Sequence, residues 1–204
     1  MLAPHADPAV SHERLATIED RNLHIYGYGV KGFIITMIET AVEIAGERLT
    51  AATTKTILDI GRELMQHPIN LLAGVAEALE PLAARAPLVL VTKGDLFHQE
   101  MKLAASGLGE RFSGVEIVSE KTPEHYAKVF RRYHVEPLEA LMAGNSLRSD
   151  IWPALQTGAW AAHIPHEFEW ARERADDPQD HPRFVRLSSL ANLPAWIDDH
   201  NAPD

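Results

Sequence analysis

The chain has 204 residues, of which 46% are apolar and 24% are charged, and its formal net charge is −10 at pH 7. This composition is typical of a folded protein with one substantial domain and room for a small accessory one. The acidic balance argues against a nucleic-acid partner, and the lack of cysteine excludes disulfides, thiol nucleophiles and cysteine-ligated metals. No apolar run is long enough to cross a membrane, and residues 1–10 lack a signal-peptide pattern, so we expect a cytoplasmic protein without a membrane partner.

Residues 1–68 have the apolar periodicity of successive helices and contain no convincing strand. Within residues 33–45, apolar residues recur at intervals of three and four, and Gly46 follows where a helix would end. Thr50 is a candidate N-cap for the next helix. The segment Tyr-Gly-Tyr-Gly-Val-Lys-Gly at 26–32 matches no phosphate-binding loop, because no strand precedes it and its glycine spacing is wrong. We predict a bent connector whose tyrosines pack or line a substrate pocket.

From residue 69 onwards the pattern changes to alternating helices and strands. Amphipathic spacing predicts helices over about 70–85, from Asp95 to near Gly107, from Pro123 onwards, from Ile151 to about Thr157, and over 188–200. A loop that carries Asn145, Ser146 and Asp150 is predicted to precede the helix that begins at Ile151. Short apolar runs predict strands at 87–92, 115–118, 140–143, 160–164 and 184–187. Strands that alternate with helices imply right-handed crossovers, and hence an α/β fold with a doubly wound parallel sheet.

Polar residues follow three of the predicted strands. They are Thr92, Lys93, Gly94 and Asp95 after the first strand, Lys121 before a helix start, and Asn145, Ser146 and Asp150 after the strand at 140–143. Open α/β sheets bind ligands at the carboxyl ends of their strands. Each residue alone has an ordinary structural explanation, such as a helix cap or a surface lysine, but their shared position favours one site. The eleven histidines show no metal-ligand spacing, and His163 and His166 are predicted to be loop residues.

Three of these segments resemble the second, third and fourth motifs of the haloacid dehalogenase-like (HAD) hydrolases. They are Leu-Val-Leu-Val-Thr at 88–92, Lys121 ahead of Thr122-Pro123, and Ala-Gly-Asn-Ser-Leu-Arg-Ser-Asp-Ile at 143–151. The resemblance implies a Rossmann-like HAD core over residues 69–204 and a small α-helical cap over residues 1–68. It also implies Mg²⁺-dependent hydrolysis of a small phosphorylated metabolite, in which an aspartate attacks phosphorus.

The resemblance assigns roles to individual residues. Thr92 would bind a phosphoryl oxygen, Lys121 would stabilise the nucleophile and the transferred charge, and Asp150 would help to bind Mg²⁺ directly or through water. The residues expected to contact the substrate are Lys93, Gly94, Asn145 and Ser146. Because the family commonly has Asp where this chain has Asn145, we expect weaker Mg²⁺ binding unless another acid compensates.

The family's first motif, an apolar strand that ends in Asp-x-Asp, has no counterpart among the predicted elements. In the family this strand carries the nucleophile and lies between the strands that bear motifs two and four. Without it, two inner strands would expose unpaired backbone, which favours self-association into a homo-oligomer. We therefore expect the chain as written to be catalytically impaired. Two alternatives stay open, a metal-independent haloacid dehalogenase of the same fold and a non-catalytic module that binds phosphate ligands.

Overall fold

The computed structural model of the protein describes residues 2–167 and 170–201. The chain divides into two compact units, the first containing residues 1–69 and 93–105 and the second containing residues 70–92 and 106–204. The elements follow in chain order as α1 (Pro8–Tyr26), α2 (Val30–Ala45), α3 (Ala51–Gln66), α4 (Val75–Ala83), β1 (Val89–Lys93), α5 (Leu96–Ser106), β2 (Gly114–Val118), α6 (Pro123–Arg132), β3 (Leu141–Gly144), a π-helical turn (Leu147–Ile151), α7 (Trp152–Gln156), β4 (Trp160–His163), β5 (Phe184–Arg186) and α8 (Leu193–Asn201).

The first unit consists of α1, α2, α3 and nearly all of α5. Thr50 caps α3 as predicted, because its hydroxyl accepts a hydrogen bond from the Thr53 N–H at 3.1 Å. The connector between α1 and α2 is bent as predicted, and Gly27 and Gly29 adopt φ angles of +68° and +120°. Side chains other than glycine rarely adopt this backbone region, so the glycines allow the chain to reverse there. That this unit acts as a cap stays a prediction.

The second unit contains the predicted α/β fold. β3, β4 and β5 form a parallel three-stranded sheet, and β1 and β2 form a separate two-stranded sheet. Ala161 and Ala162 of β4 are both fully buried and belong to different apolar clusters, one with Ile151 of the π-helical turn and one with Leu82 of α4. Because successive side chains of a strand point to opposite faces, β4 is covered on both sides, as a doubly wound sheet requires.

The structure corrects two predicted boundaries. The helix predicted over 70–85 begins only at Val75, because Gly74 has φ +80° and the helix cannot continue back through it. Most of the predicted loop that carries Asn145, Ser146 and Asp150 is instead a π-helical turn, Leu147–Ile151. No strand precedes β1 within the described residues, and no helix in that part of the chain is long and apolar enough to span a bilayer.

Candidate functional site

A buried ion pair joins two of the predicted site residues. Lys121 lies shortly after β2, next to Thr122, which caps α6 by accepting a hydrogen bond from the His125 N–H at 3.3 Å. Asp150 lies in the π-helical turn after β3. The Lys121 Nζ is 2.6 Å from the Asp150 Oδ1, and the two side chains are 12% and 5% exposed. Because both charges are removed from water, loss of either partner would leave the other charge buried without compensation.

The turn between β3 and α7 fixes the orientation of the Asp150 carboxylate. The Ser146 N–H donates to the Asp150 Oδ2 at 3.0 Å, and the Ser146 hydroxyl accepts from the Ser149 N–H at 2.8 Å. Gly144 makes room for the carboxylate, since a Cβ at that position would lie 2.3 Å from the Asp150 Oδ2. The glycine is therefore required by the close approach of the acid to the strand end.

Tyr126 covers the same turn from α6. Its hydroxyl donates to the Ser149 carbonyl oxygen at 3.2 Å, and the residue is 2% exposed. Burial and then the negative charge of Asp150 raise the pKa of the Tyr126 phenol above its ordinary value. Tyr126 is therefore a neutral hydrogen-bond donor at physiological pH. Its burial agrees with the apolar periodicity of α6, which places Tyr126 on the inward face of the helix.

His163 holds the first residue of the turn in place. It was predicted to be a loop residue, but it is the last residue of β4 and is 4% exposed. Its Nε2 lies 3.0 Å from the Asn145 carbonyl oxygen, which can only accept, so Nε2 carries the proton. The other ring nitrogen, Nδ1, is buried without a hydrogen-bond partner among the described residues.

Glu173 approaches the turn from the connection between β4 and β5, in which sequence analysis identified no candidate site residue. Its carboxylate accepts a hydrogen bond from the Ser146 hydroxyl. Glu173 is 27 positions from Ser146 in the chain, and His163 is 18 positions from Asn145. No local sequence pattern encodes contacts over such separations. The acid and the strand-end histidine are thus site residues that sequence reasoning missed.

The comparisons with known proteins agree with this geometry. The family model described as haloacid dehalogenase-like hydrolase matches residues 7–158. The crystal structure of a haloacid dehalogenase-like family hydrolase from Xanthomonas campestris has 39% sequence identity and a TM-score of 0.86, over 97% of this chain and 78% of that chain. The chain belongs to the haloacid dehalogenase-like hydrolases.

More distant structures share the fold of this HAD hydrolase. A 2-haloacid dehalogenase from Pseudomonas syringae pv. Tomato is 21% identical with a TM-score of 0.63, over 97% of this chain and 85% of its own. A predicted phosphoglycolate phosphatase from Haemophilus somnus is 18% identical with a TM-score of 0.60, over 92% of each chain. No curated protein sequence matches this chain. Because the two structures carry the names of different reactions, the fold does not select between them.

The remaining predicted residues of the HAD hydrolase lie on or beside β1. Thr92 is half-buried in β1 and belongs to the second unit, whereas Lys93, Gly94 and Asp95 belong to the first. The Lys93 Nζ lies 4.1 Å from the ring centroid of Tyr28, within that unit. That Thr92, Lys93 and Gly94 take part in the site stays a prediction. The other four predicted residues lie in or contact the turn after β3; they are Lys121, Asn145, Ser146 and Asp150.

Asp95, the last of the polar residues named after the first predicted strand, caps a helix. Its Oδ1 accepts from the His98 N–H at 2.9 Å and thereby caps α5. The Lys31 Nζ lies 2.9 Å from the same oxygen. The hydrogen bond from Lys31 and then that from the His98 N–H lower the pKa of Asp95. The Lys31 side chain is 53% exposed and is ion-paired with Asp95.

The oxygen donors at the turn of the HAD hydrolase suit a hard cation. Asp150 and Glu173 supply carboxylates, and the exposed Asn145 side chain supplies a neutral carbonyl oxygen. No group of three or more His, Asp or Glu side chains within residues 2–167 and 170–201 is arranged to hold a metal ion. Mg²⁺ commonly retains several waters and is held by one or two carboxylates. The donor set therefore fits Mg²⁺, but with few protein ligands.

Proposed function

We propose that this HAD hydrolase removes phosphate from a small phosphorylated metabolite with the help of Mg²⁺. The observation that carries the proposal is the buried ion pair between Lys121 and Asp150, 2.6 Å apart at a turn that follows a parallel strand. A lysine ammonium at a strand end can neutralise charge on a phosphoryl group during its transfer, and an acid beside it can hold a cation that does the same.

Lys121, Asp150 and Thr92 would each contact a different part of the reacting group. An ammonium group has three N–H donors, of which Lys121 directs one to Asp150, so the group can also contact a phosphoryl oxygen. The Asp150 carboxylate would hold Mg²⁺ directly or through water, and the bound cation would supply positive charge to the phosphoryl oxygens. Thr92 would donate its hydroxyl to a phosphoryl oxygen.

The nucleophile requires a further strand. β1 and β3, which bear the second and fourth motifs, are each an end strand of their own sheet, and no described strand precedes β1. We propose that an aspartate on an additional strand between them attacks phosphorus in the catalytically complete protein. The 204-residue chain would then turn over substrate very slowly by itself.

A metal-independent haloacid dehalogenase is the second candidate, and two features of the turn favour it. Asn145 is neutral, and both carboxylate oxygens of Asp150 already accept hydrogen bonds, from Lys121 at 2.6 Å and from the Ser146 N–H at 3.0 Å. A carboxylate that is already paired with a lysine binds a cation more weakly than an unpaired carboxylate does. The fold that the chain shares with the Pseudomonas syringae dehalogenase is compatible with this reading.

Product release under two conditions separates the candidates. Phosphate release from a panel of phosphomonoesters and halide release from 2-haloacids are measured with Mg²⁺ and with a chelator, for the 204-residue chain and for the longest translation product of its reading frame. We expect the longer product to release phosphate, and we expect the chelator to abolish this release. The Asp150→Ala variant of that product should lose the release, whereas the control Asp180→Ala, at an exposed residue, should keep it. Halide release that is unaffected by the chelator would show that the protein is a dehalogenase and not a phosphatase.

The same measurements test the need for a further strand. Steady turnover by the 204-residue chain alone, lost in Asp150→Ala, would contradict the proposal that an additional aspartate-bearing strand is required. Tight binding of inorganic phosphate without turnover in either form would instead favour a non-catalytic binding module.

A further inference from the structure

One peptide group of the turn after β3 is hydrogen-bonded at both of its polar ends. The His163 Nε2 donates to the Asn145 carbonyl oxygen at 3.0 Å, and the Ser146 N–H donates to the Asp150 Oδ2 at 3.0 Å. This carbonyl and this N–H belong to the same planar trans peptide group and point in opposite directions. The histidine and the aspartate therefore contact opposite ends of one peptide group.

The opposite orientation of this peptide group would lose both contacts. Its carbonyl oxygen would then face the Asp150 carboxylate, and the two negative groups would repel each other. Its N–H would face the His163 Nε2–H, which is also a donor. A donor at position 163 thus stabilises the orientation in which the peptide group donates to the acid.

The sheet fixes the backbone of His163 beside the turn. His163 pairs with Gly144 of β3 and with Arg186 of β5, and its carbonyl oxygen accepts from the Leu187 N–H at 2.9 Å. Gly144 directly precedes Asn145 in the chain. The position of the histidine is therefore set by the parallel strands and does not depend on the turn that its ring contacts.

The imidazole ring makes one described hydrogen bond, and its partner is Asn145. His163 is 4% exposed, and its Nδ1 is buried without a partner among the residues that the structure describes. An unpaired polar atom costs free energy when it is buried, so an apolar side chain would fill this space at lower cost. The donor to Asn145 is thus what distinguishes histidine from an apolar residue at this position.

The contacts continue from the peptide group to the lysine of the site. The Asp150 Oδ2 accepts from the Ser146 N–H, and the Lys121 Nζ lies 2.6 Å from the Asp150 Oδ1. Hydrogen bonds in such a series polarise one another, so a donor at the carbonyl strengthens the N–H at the other end of the peptide group. A stronger bond to one carboxylate oxygen restricts the direction in which the other oxygen meets the lysine.

We infer that His163 is a positioning residue of this hydrolase, which acts through the peptide group between residues 145 and 146 to hold the Asp150 carboxylate against Lys121. The catalytic consequence of this inference rests on the proposed function, because that function depends on this ion pair. His163 itself contacts no reacting group in this role.

Amide hydrogen exchange and proton chemical shifts, measured by NMR on the ¹⁵N-labelled 204-residue chain, test the contact without substrate. His163→Leu removes the donor, so we expect the Ser146 N–H to exchange at least about fivefold faster and its proton signal to move upfield. His163→Gln retains a side-chain N–H donor and should restore most of both values. The Leu187 N–H, which is bonded to the backbone of residue 163, should be unaffected, whereas a general loss of β4 would accelerate exchange at both amides.

Phosphate release by the longest translation product of the reading frame measures the catalytic consequence. Loss of a group that orients a functional side chain typically costs 10–100-fold, so we expect His163→Leu to lower kcat about tenfold and to change KM by less than about twofold. His163→Gln should recover most of kcat. His24→Leu, the same substitution at an exposed histidine of α1, should leave both constants unchanged.

Each result decides the inference. Unaltered Ser146 exchange in His163→Leu, equal acceleration at Ser146 and Leu187, no recovery in His163→Gln, or phosphate release with an unaltered kcat in His163→Leu would overturn it. If His163→Leu does not fold, as judged by circular dichroism, the unchanged chain must show scalar couplings across both hydrogen bonds of the peptide group, or the inference fails. The expected exchange pattern without phosphate release would refute only the proposed function. Phosphate release that depends on Asp150, with unaltered Ser146 exchange in His163→Leu, would refute only the inference.

Discussion

Replacing Lys121 with methionine tests whether the buried ion pair stabilises the site. Methionine retains most of the apolar stem but removes the ammonium group, so the 5% exposed Asp150 carboxylate keeps the Ser146 N–H as its described partner. Removal of one partner of a buried pair typically costs about 3–5 kcal/mol, because the other charge stays buried without compensation. Since the serine N–H remains, we expect a loss of about 3 kcal/mol in the free energy of unfolding.

Urea unfolding followed by circular dichroism measures this loss, and for a chain of this size it corresponds to a fall in Tm of about 6–12 °C. The matched control is Arg132→Met. Arg132 lies 2.6 Å from Glu116, the same separation as in the buried pair, but its side chain is 66% exposed. Solvent screens such a pair, so we expect a loss below about 1 kcal/mol.

A double variant separates the ion pair from the rest of the lysine side chain. Asp150→Asn removes the charge that Lys121→Met leaves uncompensated, so the double variant should be more stable than the sum of the two single losses predicts, by at least about 1 kcal/mol. A loss in Lys121→Met no larger than that in Arg132→Met, or strict additivity in the double variant, would refute the reasoning.

Three further predictions concern other parts of the structure. Gly144→Ala places a Cβ 2.3 Å from the Asp150 Oδ2, so we expect unfolding free energy to fall by about 1–3 kcal/mol, and an unchanged Tm would contradict the close approach. Ile151→Ala removes a fully buried side chain and should cost about 2–5 kcal/mol in urea unfolding, whereas Leu138→Ala, at a 60% exposed residue, should cost about 0.5 kcal/mol or less. The hydrogen bond from Lys31 and then that from a backbone N–H lower the pKa of Asp95. Its carboxylate therefore stabilises the fold at pH values above the ordinary pKa of about 3.9, and this contribution is lost as the pH falls through the lowered pKa of the folded state. Asp95→Asn should therefore be less stable by up to about 1 kcal/mol at neutral pH and should match the unchanged chain in strong acid; a difference that persists in acid would exclude an electrostatic origin.

Features encoded by neighbouring residues were predicted well. Thr50 and the pair Thr122-Pro123 signal helix starts through hydrogen bonds that span three residues, and both caps are present. The apolar strand runs are equally local, because burial on both faces of the sheet requires nearly every residue of a strand to be apolar. The order of strands and helices followed from such signals, whereas the family was recognised from the resemblance of three motifs.

Features that depend on distant residues were missed. Glu173 looks like any acid of a polar connection until the fold brings it to Ser146, and His163 reaches the site through the parallel pairing that sets it beside Gly144. The late start of α4, after Gly74, was missed for a different reason. Its backbone conformation, with φ +80°, outweighed an apolar spacing that continues upstream of it.

The π-helical turn after β3 contains one residue more than an α-helical turn over the same span, and the Ser146 carbonyl oxygen accepts from both the Asp150 N–H at 2.9 Å and the Ile151 N–H at 3.1 Å. Two adjacent residues of this turn lie in different environments. Asp150 contacts Lys121, and Ile151 packs in the apolar interior. Shortening this turn by one residue would restore a regular pitch and rotate each later side chain by about 100°. The number of residues between β3 and α7 is therefore as tightly constrained as their identity.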